Sequence, residues 1–152
     1  MEVRKTDKED IGLLIKIRME YLFLEKGVSS LEEVQDIRTK LEEYFTKHLN
    51  KGFIAIIAED ENEVLSVAFM SIVERPPIIA FSSYLVGTVY NVFTYPQHRG
   101  KGIATKVMTE LLGEAKLLGV AAVDLMATEK GKPLYKNLGF RISNYTSMNK
   151  LL

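Results

Sequence analysis

Hydrophobic and polar positions follow two periods along this chain, and the changes of period mark its elements. Spacings of three and four appear first over residues 11–24. Ile11, Leu14, Ile15 and Leu22 share one stripe with Arg18, and Leu13, Ile17, Tyr21 and Leu24 form another. A helix apolar over so much of its circumference packs against more than one partner. Thr6 and Glu9 have the spacing of a capping box ahead of it, and Lys26-Gly27 can close it. Ser29-Ser30-Leu31-Glu32-Glu33 offers a second capping box. The helix behind it carries Val34, Ile37, Leu41, Tyr44 or Phe45, and His48 at helical spacing.

The period then drops. Phe53 to Ala58 and Val64 to Val73 are apolar at both parities, as expected of strands covered on both faces. Glu59-Asp60-Glu61-Asn62 joins them as a solvated, hairpin-like turn. Residues 2–5 form a short first strand with Val3 inward. Arg75-Pro76-Pro77 stops the sheet, because consecutive prolines cannot feed a ladder. Ile78 to Tyr84 is apolar and aromatic without a period. A strand extension, a lid over a small-molecule pocket, packed core and a dimer contact all fit it.

Gly87 to Thr94 reads as a strand. Ile103, Val107, Leu111, Ala115 and Leu118 then line one face of a long helix, closed by Gly119 as a left-handed residue. Ala121 to Met126 is the next strand, so this part is a right-handed parallel βαβ unit. Thr128 or Glu129 opens a short helix with Pro133 near its start and Gly139 at its end. Phe140 to Ile142 and Thr146 to Lys150 are expected as two last strands.

Composition narrows the picture by exclusion. A chain of 152 residues suits a single domain, 1–152, with room for a core. Acidic and basic residues balance at 20 each, so no global field favours nucleic acid or an anionic membrane. There is no cysteine, hence no disulfide, zinc–thiolate site or thiol nucleophile. His48 and His98 stand far apart in sequence and do not suggest a metal site. His48 suits a helix C-terminus, where positive charge is favourable, better than a catalytic role. No apolar run reaches the ~20 residues of a membrane span. The opening Met-Glu-Val-Arg-Lys is unlike a signal peptide. A cytoplasmic protein without metal, nucleic-acid or membrane partners is expected.

Candidate chemistry concentrates between the strand ending at Thr94 and the helix beginning near Ile103. Tyr95-Pro96-Gln97-His98-Arg99-Gly100-Lys101-Gly102 is a basic turn with two glycines. The first N–H groups of the following helix lack intrahelical partners and sit at its positive end. Such a turn suits a phosphate or pyrophosphate. The Walker spacing is absent, and GxGxxG fails because Thr105 stands where its third glycine belongs. What stands here is Arg99-x-x-Gly102-x-Ala104, overlapped by Gln97-x-x-Gly100-x-Gly102. It resembles the acetyl-CoA loop of the GCN5-related N-acetyltransferases. Pro133-Leu134-Tyr135-Lys136-Asn137-Leu138-Gly139-Phe140 resembles that family's Leu-Tyr-x-x-x-Gly-Phe ending. The two motifs fall in the family's order, and the resemblance covers essentially the whole chain.

The resemblance implies an α/β (α+β) acyl-CoA N-acyltransferase fold, with a mixed central sheet of six to seven strands and about four helices. It implies a bulged strand that splays from its parallel neighbour, leaving a gap for the pantetheine arm of acetyl-CoA. The arm would bond the backbone of Val92, Phe93 and Thr94. The pyrophosphate would rest on the amides of Arg99, Gly100, Lys101, Gly102, Ile103, Ala104 and Thr105, helped by the Arg99 and Lys101 side chains. Tyr135 matches the tyrosine that protonates the leaving thiolate; on spacing alone it would pass for a core aromatic. Thr128 stands where many relatives have Asn, and still reaches toward the cofactor. Gly131 stands where Ala is usual. The family's strand carboxylate is missing, since Tyr90 and Asn91 are poor bases; an ordered water, Glu20 and Glu74 are the candidates left. His98 is expected exposed, with adenine or phosphate contact as the sharper alternative.

An enzyme that moves the acetyl group of acetyl-CoA to a small-molecule or peptide amine is therefore expected. The alternative is a non-catalytic acyl-CoA sensor or regulatory domain. The acceptor pocket would lie between the first two helices and residues 75–85. Exposed apolar residues there also admit a homodimer, by analogy with the family. Nucleic-acid binding through Arg99 and Lys101 would need a broad basic face that this composition does not supply.

Overall fold

The computed structural model describes residues 1–27, 30–80 and 83–152. Ser29 of the second expected cap lies outside them, as do Phe81 and Ser82 of the apolar connection. In order the chain forms β1 (Glu2–Lys5), α1 (Ile11–Lys26), α2 (Leu31–His48), β2 (Phe53–Asp60), β3 (Glu63–Glu74), β4 (Leu85–Thr94), α3 (Ile103–Leu117), β5 (Ala122–Leu125) and α4 (Lys132–Asn137). The strands lie in one sheet in chain order. β1 to β4 run antiparallel to their neighbours, and β5 lies parallel to β4 because α3 carries the chain back between them.

Strand alternation divides the core into two layers. Phe53, Ala55 and Ile57 of β2 face α1 and α2, where they pack with Leu14, Ile17, Phe45 and Phe69. Ile54, Ile56 and Ala58 face the other way, onto Val107, Met108 and Leu111 of α3. This is why β2 and β3 are apolar at both parities. The alternation shifts near the β2–β3 hairpin, at Ala58 and Glu59, and again in β4. In β4, Val89 packs on the α3 side and Phe93 on the α1 side, although they are four positions apart and strict alternation would keep them on one face. A β-bulge accounts for it. Val67 of β3 pairs with Phe93 and Phe69 with Tyr90, so Asn91 and Val92 together oppose Ala68. Asn91 holds the left-handed conformation, φ 56°, that the bulge demands.

Local signals land close to expectation, with corrections. The first cap is Asp7, not Thr6. Asp7 accepts from the Glu9 amide at 2.8 Å, and the Asp10 carboxylate accepts from the Asp7 amide at 2.9 Å. Thr6 is instead buried, its hydroxyl donating to the Ala55 carbonyl at 3.2 Å. Ser30 caps α2 by accepting from the Glu33 amide. Glu61 and Asn62, at φ 46° and 68°, make the tight turn between β2 and β3. His48 lies in the last turn of α2 with its ring 4.7 Å from that of Tyr44. Gly119, at φ 81°, follows the end of α3.

Two expectations fail. The sheet has five strands rather than six or seven: residues 140–142 and 146–150 form none. Polar Ser143, Asn144, Thr146, Ser147 and Asn149 interrupt this segment, and little apolar burial is available to offset the entropy of ordering its backbone. Ile142, Tyr145 and Met148 stay exposed. The packed-core reading of the 78–84 connection fails at Ile78 and Ile79, both exposed, and β3 stops at Glu74 ten residues short of Tyr84.

Candidate functional site

The parallel pair β4–β5 is joined over only part of its length. Val86 to Val89 are in register with Ala122 to Leu125, and β4 then runs on to Thr94 without β5 beside it. The bulge at Asn91 changes the course of β4 just past that point. The result is a cleft of about 1040 Å³ between the two chains. Its walls are residues 88–94, the turn through Gly100 and Gly102, residues 124–128, and Leu134 and Tyr135 of α4. Ser143, Tyr145, Thr146 and Ser147 of the C-terminal segment border it.

At one end of this cleft the turn presents bare donors. Pro96 to His98 form a short 3-10 turn, closed by the Arg99 amide on the Pro96 carbonyl at 3.3 Å. Gly100 and Gly102 then take φ 75° and 72°, which a side chain would make strained. Among the described residues the amides from Gly100 to Thr105 have no hydrogen-bond partner, and the Lys106 amide is the first to bond back into α3, on Gly102. Successive bare amides at the positive end of a 15-residue helix form an anion cradle. Arg99's amide is thus already used, whereas the others expected for a pyrophosphate are open. Of the residues expected at the site, all but Lys101 and Thr105 line the cleft. Thr105 points to a shallow groove on the other side of α3 with Val3 and Thr109.

The side chain of Arg99 braces the turn. Its Nε donates to the Thr94 carbonyl at 2.9 Å, and its guanidinium lies 5.8 Å from the Phe93 ring centre. The Phe93 carbonyl accepts from Ser66 Oγ at 3.0 Å and so faces β3. By strand alternation, Val92 and Thr94 turn their backbone groups to the open seam. His98 is not the exposed residue expected: its Nε2 sits 3.1 Å from Glu63, and its side chain is largely covered.

On the opposite wall, Tyr135 is half-buried in α4 against Phe140. Burial holds its phenol pKa above the ordinary value, so its oxygen keeps the proton. Thr128 Oγ1 accepts from the Gly131 amide at 3.1 Å, leaving its own hydroxyl hydrogen for the cleft. A Cβ on Gly131 would come 3.1 Å from the Tyr135 ring and 3.3 Å from Thr128 Oγ1. That close approach accounts for glycine where an alanine would otherwise serve.

α1 also walls the cleft, where sequence reasoning expected the acceptor pocket but named only Glu20. Arg18, Tyr21 and Glu25 are spaced three and four apart and share one face of that helix. Tyr21 and Glu25 line the cleft. The Tyr21 hydroxyl donates to Glu25 at 2.8 Å. Arg18 sits behind them, donating to Asn91 Oδ1 at 2.8 Å, with its guanidinium 5.5 and 5.8 Å from the ring centres of Tyr21 and Tyr90. The available signal was a polar face on a helix otherwise apolar nearly all round. Of the two expected base candidates, Glu20 is bonded by the Tyr95 hydroxyl and does not line the cleft. Glu74 pairs opposite Leu85, at the end of β4 remote from Tyr90 to Thr94. Among the described residues no His, Cys, Asp and Glu side chains gather to hold a metal, and no helix is long and apolar enough to cross a membrane.

A sequence model described as the acetyltransferase (GNAT) family matches residues 15–140. No curated protein matches the chain. Among solved structures, a predicted acetyltransferase from Clostridium acetobutylicum, crystallised with acetyl-CoA, is 31% identical. It superposes with a TM-score of 0.81 over 97% of this chain and 95% of its own. A GCN5-related N-acetyltransferase from Ralstonia eutropha is 24% identical, TM-score 0.79, over 98% and 97%. Glucosamine-6-phosphate N-acetyltransferase from Arabidopsis thaliana is 19% identical, TM-score 0.71, over 98% and 97%, a likeness of fold.

Proposed function

Because the chain belongs to the acetyltransferase (GNAT) family, we propose that it catalyses transfer of the acetyl group of acetyl-CoA to the nitrogen of a small-molecule or peptide amine by direct attack. The observation that carries this reading is a continuity. The seam that opens beyond Val89 and Leu125 leads straight to the bare amides of Gly100 to Thr105. The diphosphate would rest on those amides, the pantetheine arm along Val92 and Thr94, and the thioester near Thr128 and Tyr135. Phe93 contributes its ring to the wall rather than its carbonyl.

The thioester supplies an acetyl group already activated for attack. The protein's share is then position and proton control, and no side-chain nucleophile is required. Residues on both walls fix the geometry, while Arg99 braces the turn. Tyr135, kept neutral by its burial, holds a proton at its hydroxyl oxygen for the departing sulfur. The proton shed by the attacking nitrogen leaves to solvent in the open cleft, from which the tyrosine is reprotonated. We place the protein in the cytoplasm as a single domain, and leave a homodimer as the family analogy suggests.

Thiol release, followed with 5,5′-dithiobis(nitrobenzoate) across a panel of primary amines, tests the reading. Release that depends on both acetyl-CoA and an amine is expected. Acetyl-CoA binding with no release on any amine would replace the enzyme by an acyl-CoA sensor, and no binding would remove both.

A further inference from the structure

We infer that Glu25, held by Tyr21, is the specificity residue for the acceptor and selects primary amines that are cationic in solution and carry an apolar or aromatic body. This rests on the acetyltransferase reading and names the acceptor class that reading leaves open. The carboxylates that line the cleft are Glu25 and Asp124. Asp124 is engaged: it accepts from the Thr88 hydroxyl at 2.6 Å and lies 3.6 Å from Arg75. Glu25 has no cationic partner among the described residues; its one bond is the Tyr21 hydroxyl at 2.8 Å.

Position strengthens the case. Glu25 lies in the last turn of α1, where exposed carbonyls make a carboxylate unfavourable. The basic lining residues Arg99 and Lys130 flank the turn and α4, not α1. Donors and cations thus line the turn and the α4 wall, and Glu25 is a lining carboxylate on the α1 wall with which no described cation pairs. Tyr21 and Tyr90 line the cleft on this wall, their ring centres 5.5 and 5.8 Å from the Arg18 guanidinium. Aromatic faces around an unpaired carboxylate suit an ammonium group on an apolar stem. Arg18 makes no ion pair with Glu25: its Nη1 donates to Asn91, and its guanidinium lies 5.5 Å from the Tyr21 ring centre. Tyr21, Glu25 and Tyr135 line the same cleft, so an amine held by Glu25 shares it with the thioester.

Glu25→Gln keeps the shape and removes the charge, and it relieves an unfavourable charge at a helix end, so the variant should fold at least as well. Kinetics would use 2-phenylethylamine, 1,4-diaminobutane and a lysine-containing dipeptide. Calorimetry would measure 2-phenylethylamine, and 2-phenylethanol as its uncharged analogue, on protein saturated with coenzyme A. The expected result is a KM and a Kd for the amines raised about tenfold or more, the loss of one charge-assisted contact. Weak 2-phenylethanol binding should not change, nor should the coenzyme A affinity. Tyr21→Phe should give a smaller rise, since the carboxylate remains but loses its holder. Amine KM and Kd equal to wild type, or no amine binding to the wild type, would overturn the assignment. Absence of thiol release alone would defeat the acetyltransferase reading, and the two calorimetric Kd values would still decide the role of Glu25.

Discussion

Arg18 reaches from α1 to donate its Nη1 hydrogen to Asn91 Oδ1 at 2.8 Å, across 73 residues of sequence. Asn91 is 3% exposed and sits at φ 56° in the bulge that opens the seam. The bond fixes which end of the amide faces Arg18, leaving Nδ2 buried without a partner among the described residues. Arg18→Met should therefore strand Oδ1 as well, costing about 1–3 kcal/mol in urea denaturation. Asn91→Gly should be tolerated better than Asn91→Ala, because alanine at positive φ adds roughly 1–2 kcal/mol of backbone strain. Equal losses for the two would deny that the bulge needs the left-handed conformation.

Gly102→Glu should raise the Kd for acetyl-CoA by about a hundredfold or more, roughly 2.8 kcal/mol, by setting a negative charge beside the bare amides. Gly113→Glu is the control. Gly113 lies mid-way along α3, and a side chain there meets nothing within 4 Å. Calorimetry on both proteins separates the turn from a general charge effect; equal affinities would dismiss the anion cradle.

Tyr135→Phe should lower kcat about a hundredfold, the scale of general acid catalysis, and leave the acetyl-CoA Kd in place. Burial raises the Tyr135 pKa, so its proton persists above the ordinary value of about 10. The wild-type kcat should thus show no basic limb from this group below about pH 10. An unchanged kcat in the variant would take Tyr135 out of the reaction.

Asp10 receives both Arg4 terminal nitrogens, at 2.8 and 2.9 Å, and Arg4 holds its pKa below the ordinary carboxylate value. A depressed folded pKa means stability that is complete above the unfolded pKa, about 3.9, and lost as pH falls through the folded one. Asp10→Asn should then cost roughly 1–3 kcal/mol at pH 7 and progressively less below about pH 4. A difference that stays constant from pH 7 to pH 3 would contradict this.

The parts of this fold that repeat a period were legible in the sequence. Ile103, Val107, Leu111 and Ala115 announced α3, and the glycines at 100 and 102 announced the turn before it. The first cap slipped by one residue because Thr6-x-x-Glu9 and Asp7-x-x-Asp10 match the same pattern, and burial of Thr6 under Ala55 decides between them. Asn91 looked like an unhelpful polar residue in a strand. Only the register with Ala68 turns it into the bulge. Glu25 escaped notice for a related reason: its meaning depends on Asp124 being occupied elsewhere, a relation between residues far apart in the chain.

The crossover in β4 also bears on how this chain can change length. A residue lost from the turn at Glu61 and Asn62 alters a solvated corner. A residue lost between Tyr90 and Val92 would invert everything downstream on that strand. Phe93 would swing from the aromatic layer into the α3 layer, and Arg99 would lose its purchase on the Thr94 carbonyl. Insertions and deletions should therefore accumulate at the hairpin tip and be purged from this one triplet.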